Sequence, residues 1–102
     1  MKRLILPIAL IGAVCTASVQ ASEDLAKKYA CVACHSLDKK GVGPAYKEVA
    51  KKYSVDKTAQ AKLEDKVKKG GAGVWGQTPM PPNSSVPAAD VATLVKWVLS
   101  LK

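Results

Sequence analysis

The sequence has no phenylalanine, a single histidine, and aromatic residues at only 5% of its 102 positions. Acids are also scarce, with eight Asp+Glu against sixteen Lys+Arg and a net charge of +8. No apolar run approaches the roughly 20 residues needed to cross a bilayer as a helix. A hydrophobic fraction of 48% nonetheless excludes a disordered or low-complexity chain, and the length fits one domain. Three cysteines are an odd number, so they cannot form a closed disulfide set.

What is present begins with a leader. Met1-Lys2-Arg3 is a short basic start, Leu4 to Val14 is apolar apart from Gly12 and an early Pro7, and Val19-Gln20-Ala21 offers small residues where a signal peptidase reads. This pattern predicts a secretory signal peptide over 1–21, cleaved after Ala21, ahead of a single domain over 22–102. The apolar run is too short for a membrane anchor. Val14 stands where a lipoprotein signal before Cys15 would need a small residue. Without the leader, 81 residues remain, with fourteen lysines, eight acids and a side-chain charge of +6. Only 22 large apolar side chains are left among them, and Cys31 and Cys34 are the two remaining cysteines. So small a chain usually needs a disulfide, metal or cofactor to complete its core.

Four helices are expected. Ser22 is a suitable N-cap, Glu23 and Asp24 suit the positive end of the helix dipole, and Leu25, Tyr29 and Val32 share a face, predicting a helix that runs into the cysteines. Gly43-Pro44 opens a second, with Pro44 in its first turn and Tyr46, Val49, Ala50 and Tyr53 facing inward. The third runs from about Thr58 to Lys69, with Ala59, Leu63 and Val67 inward, Glu64/Lys68 and Asp65/Lys69 outward, and Gly70-Gly71 as its stop. The fourth starts near Pro87 or Ala88, and Val91, Leu94, Val95, Trp97, Val98 and Leu101 form its apolar face. No stretch alternates long enough for a strand, so the fold class is all-α. Between the last two helices, residues 70–87 carry four Gly and four Pro without helical period, a long loop of the kind that is usually functional or disordered.

Cys31-Val32-Ala33-Cys34-His35 is C-x-x-C-H, the attachment signature of a c-type haem. On a helical turn, residues i and i+3 share a face, so both thiols can meet the two vinyl groups on one edge of a porphyrin. His35 then falls beneath the iron as a neutral imidazole ligand. An exported location agrees, since bacterial haem c is attached outside the cytoplasm. Three other readings of the motif are weaker. A thioredoxin-like C-x-x-C expects a βαβ context that is missing. Zinc wants four ligands, and the mature chain offers two Cys and one His. A plain disulfide leaves His35 and the long loop unexplained.

One histidine cannot fill both axial positions, and Met is a common partner to His in cytochromes c. After the leader the one methionine is Met80, in Thr78-Pro79-Met80-Pro81-Pro82-Asn83. Methionine is often core filler, but Met80 sits on a loop and not on a helix stripe. Its three neighbouring prolines lower the entropy cost of holding a thioether against iron.

In these motifs the chain resembles the small monohaem class I cytochromes c of bacterial respiratory chains, the five-fifty-one type. The shared pieces are Cys31-Val32-Ala33-Cys34-His35, Val42-Gly43-Pro44-Ala45-Tyr46, Gly73-Val74-Trp75-Gly76, Pro79-Met80-Pro81-Pro82-Asn83 and Lys96-Trp97-Val98-Leu99, in order along the mature length. The resemblance implies a four-helix class I fold around one covalent haem c. It implies that the Pro44 carbonyl accepts the proton on the second nitrogen of His35, and that Trp75 donates its indole N–H to a haem propionate, a core aromatic being the alternative. It places Lys66 where such proteins often carry an Arg to a propionate, with an ammonium unable to make the bidentate fork. Asn83 would bond near the Met80 sulfur, or serve as an ordinary turn residue.

With both axial positions filled, the iron has no vacancy for a substrate. The expected function is therefore not an enzyme but a periplasmic one-electron carrier. Its expected partners are redox proteins: a donor such as a quinol-cytochrome c oxidoreductase, and an acceptor such as a nitrite reductase, a terminal oxidase or a cytochrome c peroxidase. Lys27-Lys28, Lys39-Lys40, Lys51-Lys52 and Lys68-Lys69 are separate pairs, mostly solvated helix faces, and some could steer the protein to acidic partners. A nucleic-acid binder would show a basic stripe with stacking aromatics. A monomer with no stable membrane insertion is expected. The rivals are a haem peroxidase or ligand sensor in which Met80 leaves the iron, and a non-haem thiol protein.

Overall fold

The computed structural model describes residues 16–102. Its elements are α1 (Thr16–Lys28), a single 3-10 turn at Cys31–Ala33, α2 (Tyr46–Lys52), α3 (Ala59–Lys69) and α4 (Ala88–Ser100). The chain is thus all-α, and its only β-type pairing among the described residues is one isolated bridge. None of the described helices is long and apolar enough to cross a membrane. Most of the expected leader lies outside the described residues.

Two helix starts and one helix end differ from the sequence reading. α1 begins at Thr16 and passes through Ser22 without a break, so Ser22 is a buried interior residue, 5% exposed, and not an N-cap. The residues before it continue the helical hydrogen bonding, and Gln20 adds a 3.3 Å side-chain bond to Asp24 one turn on. At its other end α1 stops at Lys28, short of the cysteines. Ala30 takes a left-handed conformation, φ 59°, and the chain re-enters a helical path as a 3-10 turn. In such a turn residues i and i+3 eclipse, so Cys31 and Cys34 still share a side. Pro44 also lies outside the helix it was expected to open. Ala45 is extended, and α2 starts one residue later.

α3 and α4 fall where their apolar periods place them. Asp56 prepares the entry to α3, its carboxylate accepting from both Thr58 N (2.8 Å) and Thr58 Oγ1 (2.6 Å). The Asp65–Lys69 pair closes at 2.9 Å on the outer face. Gly70 ends α3 at φ 70°, ψ −166°, and donates its N–H to Lys66 O.

α4 is the centre of the packing, touching α1, α2 and α3. Ala26, Tyr46, Leu94 and Trp97 form one buried cluster and Val86, Val91 and Val95 another. Tyr29 Oη donates to Asp90 Oδ2 at 2.5 Å, tying the end of α1 to the start of α4. Four of the eleven buried hydrophobic residues described are alanines, so the helices alone enclose little apolar volume. Val42, Val74 and Trp75 remain exposed around the space they leave.

Candidate functional site

That space is a cavity of about 290 Å³ whose walls come from the 3-10 turn, α2, α3, α4 and the 70–87 loop. Cys31, Cys34, His35 and Met80 all line it, although Met80 lies 45 positions beyond His35 in the chain. Val49, Leu63, Val67, Leu94, Val95 and Val98 supply apolar wall.

The cysteines are free thiols, and burial pushes the Cys31 thiol up from its ordinary range. Among the described residues no three of His, Cys, Asp and Glu gather as a zinc site would require. The turn itself is closed by Cys34 N donating to Cys31 O at 3.2 Å and His35 N to the same oxygen at 3.0 Å.

His35 is confined on several sides. Its Nδ1 lies 2.7 Å from Pro44 O. A carbonyl oxygen can only accept, so the proton sits on Nδ1 and the Nε2 lone pair is left free. The Tyr46 ring stacks on the imidazole with centroids 5.1 Å apart and planes 21° from parallel. Burial raises the Tyr46 phenol pKa, and the nearby Cys31 and Cys34 add to the effect. Gly43 approaches so closely that a Cβ there would lie 2.6 Å from His35 Cε1 and 2.9 Å from Nδ1. Only a residue without a side chain leaves that room. Gly43 N in turn donates to Cys34 O at 2.8 Å.

Met80 is held through its backbone. Gly71 and Met80 exchange N–H···O bonds of 3.0 and 2.8 Å, the one bridge among the described residues. A Cβ on Gly70 would collide with Met80 O and come within 2.9 Å of the Pro81 and Pro82 backbone. Asn83 anchors the far side, its N–H and its Nδ2 both donating to Val67 O on α3, at 3.0 and 3.2 Å. Nδ2 also donates to Pro81 O at 3.1 Å. Asn83 itself is outside the cavity lining, and these contacts pin the loop.

Trp75 lines the cavity from its rim, 41% exposed, with Lys52 Nζ 5.6 Å over its ring, so it is no core aromatic. Lys66 also lines the cavity and takes part in none of the three ion pairs among the described residues. Lys40 does the same, and nothing in the sequence marks it beyond its place in a lysine pair. For Gly43, Tyr46 and Gly70 the sequence likewise carries no sign of the contacts they make at the site. Their roles depend on contacts between segments far apart in the chain, which local pattern does not carry.

Two thiols, an imidazole with a free Nε2, a thioether and an apolar lining form a donor set suited to an iron porphyrin. Known proteins agree with this chemistry. The sequence profile of the family described as Cytochrome c matches residues 19–102. Cytochrome c-551 of Allochromatium vinosum is 57% identical over 77 residues, covering 76% of this chain and 82% of that protein. Cytochrome c-552 of Hydrogenobacter thermophilus is 48% identical over the whole of both. The crystal structure of wild-type Nitrosomonas europaea cytochrome c552 superposes with a TM-score of 0.76 at 51% identity, covering 78% of this chain and 99% of that one. The cavity chemistry, the four-helix packing and the near end-to-end similarity therefore have one meaning: the chain belongs to the cytochrome c family, as a small class I homologue of the c-551/c-552 group.

Proposed function

We propose that this protein is a periplasmic one-electron carrier that holds one haem c through Cys31 and Cys34, with His35 and Met80 as the axial ligands. The observation that carries this reading is the gathering of those four side chains on one apolar cavity. Membership of a family of electron carriers supports it.

A haem bound there would supply a one-electron change at its iron. The chain's own residues determine the rest. Cys31 and Cys34 would hold it by thioether bonds. Pro44 O holds the Nδ1 proton of His35, fixing the tautomer and the orientation in which Nε2 is presented. Met80 offers a soft sulfur that favours the reduced state, and the apolar walls act in the same direction. Lys66 and Trp75, both on the cavity lining, would meet the anionic propionates, Lys66 as a point charge and Trp75 as an N–H donor. Asn83 acts on the Met80 sulfur by pinning its loop.

In this reading residues 1–21 are the cleaved leader and 22–102 the mature domain, a monomer. Electrons come from a donor such as a quinol-cytochrome c oxidoreductase and go to a nitrite reductase, a terminal oxidase or a cytochrome c peroxidase. The lysine excess steers it to acidic partner surfaces, so its association rate with a redox partner falls steeply as salt rises. A salt-independent rate would remove that part of the proposal.

The deciding experiment is an absorption spectrum of protein matured with the cytochrome c assembly machinery. Covalent low-spin haem is expected, with a weak near-red sulfur-to-iron band in the ferric form that Met80→Ala abolishes. High-spin haem at neutral pH would favour an enzyme or ligand sensor, and no covalent haem a thiol protein.

A further inference from the structure

The His35–Tyr46 stack continues to a third ring. Trp97 of α4 meets Tyr46 in a T-shaped contact, with centroids 5.5 Å apart and planes at 66°. Both rings are buried, each 7% exposed. Trp97 Nε1 is shielded from solvent and has no conventional hydrogen-bond acceptor among the described residues. A buried indole N–H normally finds a partner. An aromatic face carries negative charge density and accepts N–H groups weakly, and the ring in T-shaped contact with Trp97 is Tyr46.

The surroundings give this contact a purpose. A second cavity of about 250 Å³, bordered by Trp97, Tyr46 and His35, lies beside the stack. His35 and Tyr46 also line the first cavity, so the pair forms a partition between the two. On the side of the second cavity the imidazole is held through the Tyr46 ring stacked on it, and the Pro44 O bond restrains it at one atom.

We propose that the Trp97 indole N–H donates to the face of Tyr46 and that this contact, passed through the Tyr46–His35 stack, sets the plane of the His35 imidazole. Trp97 and Tyr46 are then positioning residues. The inference rests on the reading of His35 as an axial ligand.

The test is NMR of the mature holoprotein, after its absorption spectrum has established low-spin covalent haem. A spectrum without it overturns the ligand reading before any variant is compared. In the reduced protein, Tyr46→Leu is expected to move the Trp97 indole proton downfield and to speed its hydrogen exchange at least tenfold. Tyr46→Phe, which keeps the aromatic face, is expected to retain both wild-type values. In the oxidised protein the spread of haem-methyl shifts reports the imidazole plane, and Trp97→Phe is expected to change it while the near-red band persists. An indole resonance and exchange rate unmoved by Tyr46→Leu would overturn the donor assignment. A wild-type methyl pattern in Trp97→Phe would overturn the positioning role, and this second readout stands alone if Tyr46→Leu does not fold.

Discussion

The two sides of the cavity are built differently. On the His35 side the side chain itself is held: by Pro44 O at Nδ1, by the stacked Tyr46 ring and by the narrow slot over Gly43. On the Met80 side the restraints act on the backbone, through the Gly71 pairing and the Asn83 bonds to Val67 O and Pro81 O. Fixing a backbone leaves a methionine three side-chain torsions to settle, whereas a stacked and hydrogen-bonded imidazole has almost none. The difference also follows chain distance. The His35 side is assembled within residues 31–46, and the Met80 side depends on a long loop tied back to α3. Under the proposed ligation, the thioether is the ligand that yields first to heat, denaturant or a competing donor.

The largest expected effect comes from removing the glycine on which the softer side depends. Gly70 has a backbone conformation that is essentially closed to other residues, and a Cβ there meets backbone atoms of residues 80–82, which cannot rotate away. Gly70→Ala is expected to cost about 3 kcal/mol, combining backbone strain with overpacking. In a denaturant titration followed at the near-red band, that signal should be lost well before helix content. Loss of both together would mean that the loop and the helical frame are one cooperative unit.

Gly43→Ala attacks the stiffer side. The added carbon would press on His35 Cε1 at 2.6 Å without a demand for unusual φ, so the cost is overpacking alone, about 2 kcal/mol. The expected outcome is a changed haem-methyl pattern with the sulfur-to-iron band retained. If Gly43→Ala released the sulfur more readily than Gly70→Ala, the contrast between the two sides would be wrong.

A gentler probe is Asn83→Ala, which removes the two side-chain bonds to Val67 O and Pro81 O and keeps the backbone bond to Val67 O. Partly exposed bonds of this kind contribute about 1 kcal/mol together. Exogenous imidazole should then displace the sulfur at several-fold lower concentration than in the wild type. An unchanged displacement curve would assign the loop's rigidity to its prolines instead.

The same contrast explains what could be read from the sequence. α3 and α4 were legible because Leu63/Val67 and Val91/Leu94/Val95/Val98 repeat at helical spacing and Pro87 and Gly70 bracket them. The four side chains gathered on the cavity were legible because each is chemically rare here: two cysteines, one histidine and one methionine from residue 22 onward. The break before Cys31 was hidden because Ala30, a good helix former, carries the positive φ where a glycine would have signalled it. Pro44 looked like a first-turn proline, although its carbonyl is needed outside the helix to reach His35. Gly70 was visible as a helix stop, but its clearance for Met80 O is a contact between positions ten apart, which no local pattern encodes.

The smallest expected effect tests whether the cavity's two sides are insulated from the rest of the fold. Asp56 lies at the corner between α2 and α3, and its side chain is absent from the cavity lining. Bonds from the Thr58 hydroxyl and Lys62, and then from the Thr58 N–H, hold its carboxyl well below the ordinary value of 3.8, at about 2. A depressed folded pKa means the native state releases its proton more readily than the unfolded chain. The stabilisation is therefore present above pH 3.8 and is lost as pH falls from there towards about 2. Asp56→Asn should flatten that part of the stability–pH curve relative to wild type and leave the curve above it parallel. Throughout the same range the difference between the two proteins should not appear in the near-red band, because the bonds of Asp56 run to Thr58 and Lys62, neither of which lines the cavity. A band that followed the Asp56 titration would show that α3, through Val67 O and Asn83, transmits strain from its first turn to the thioether.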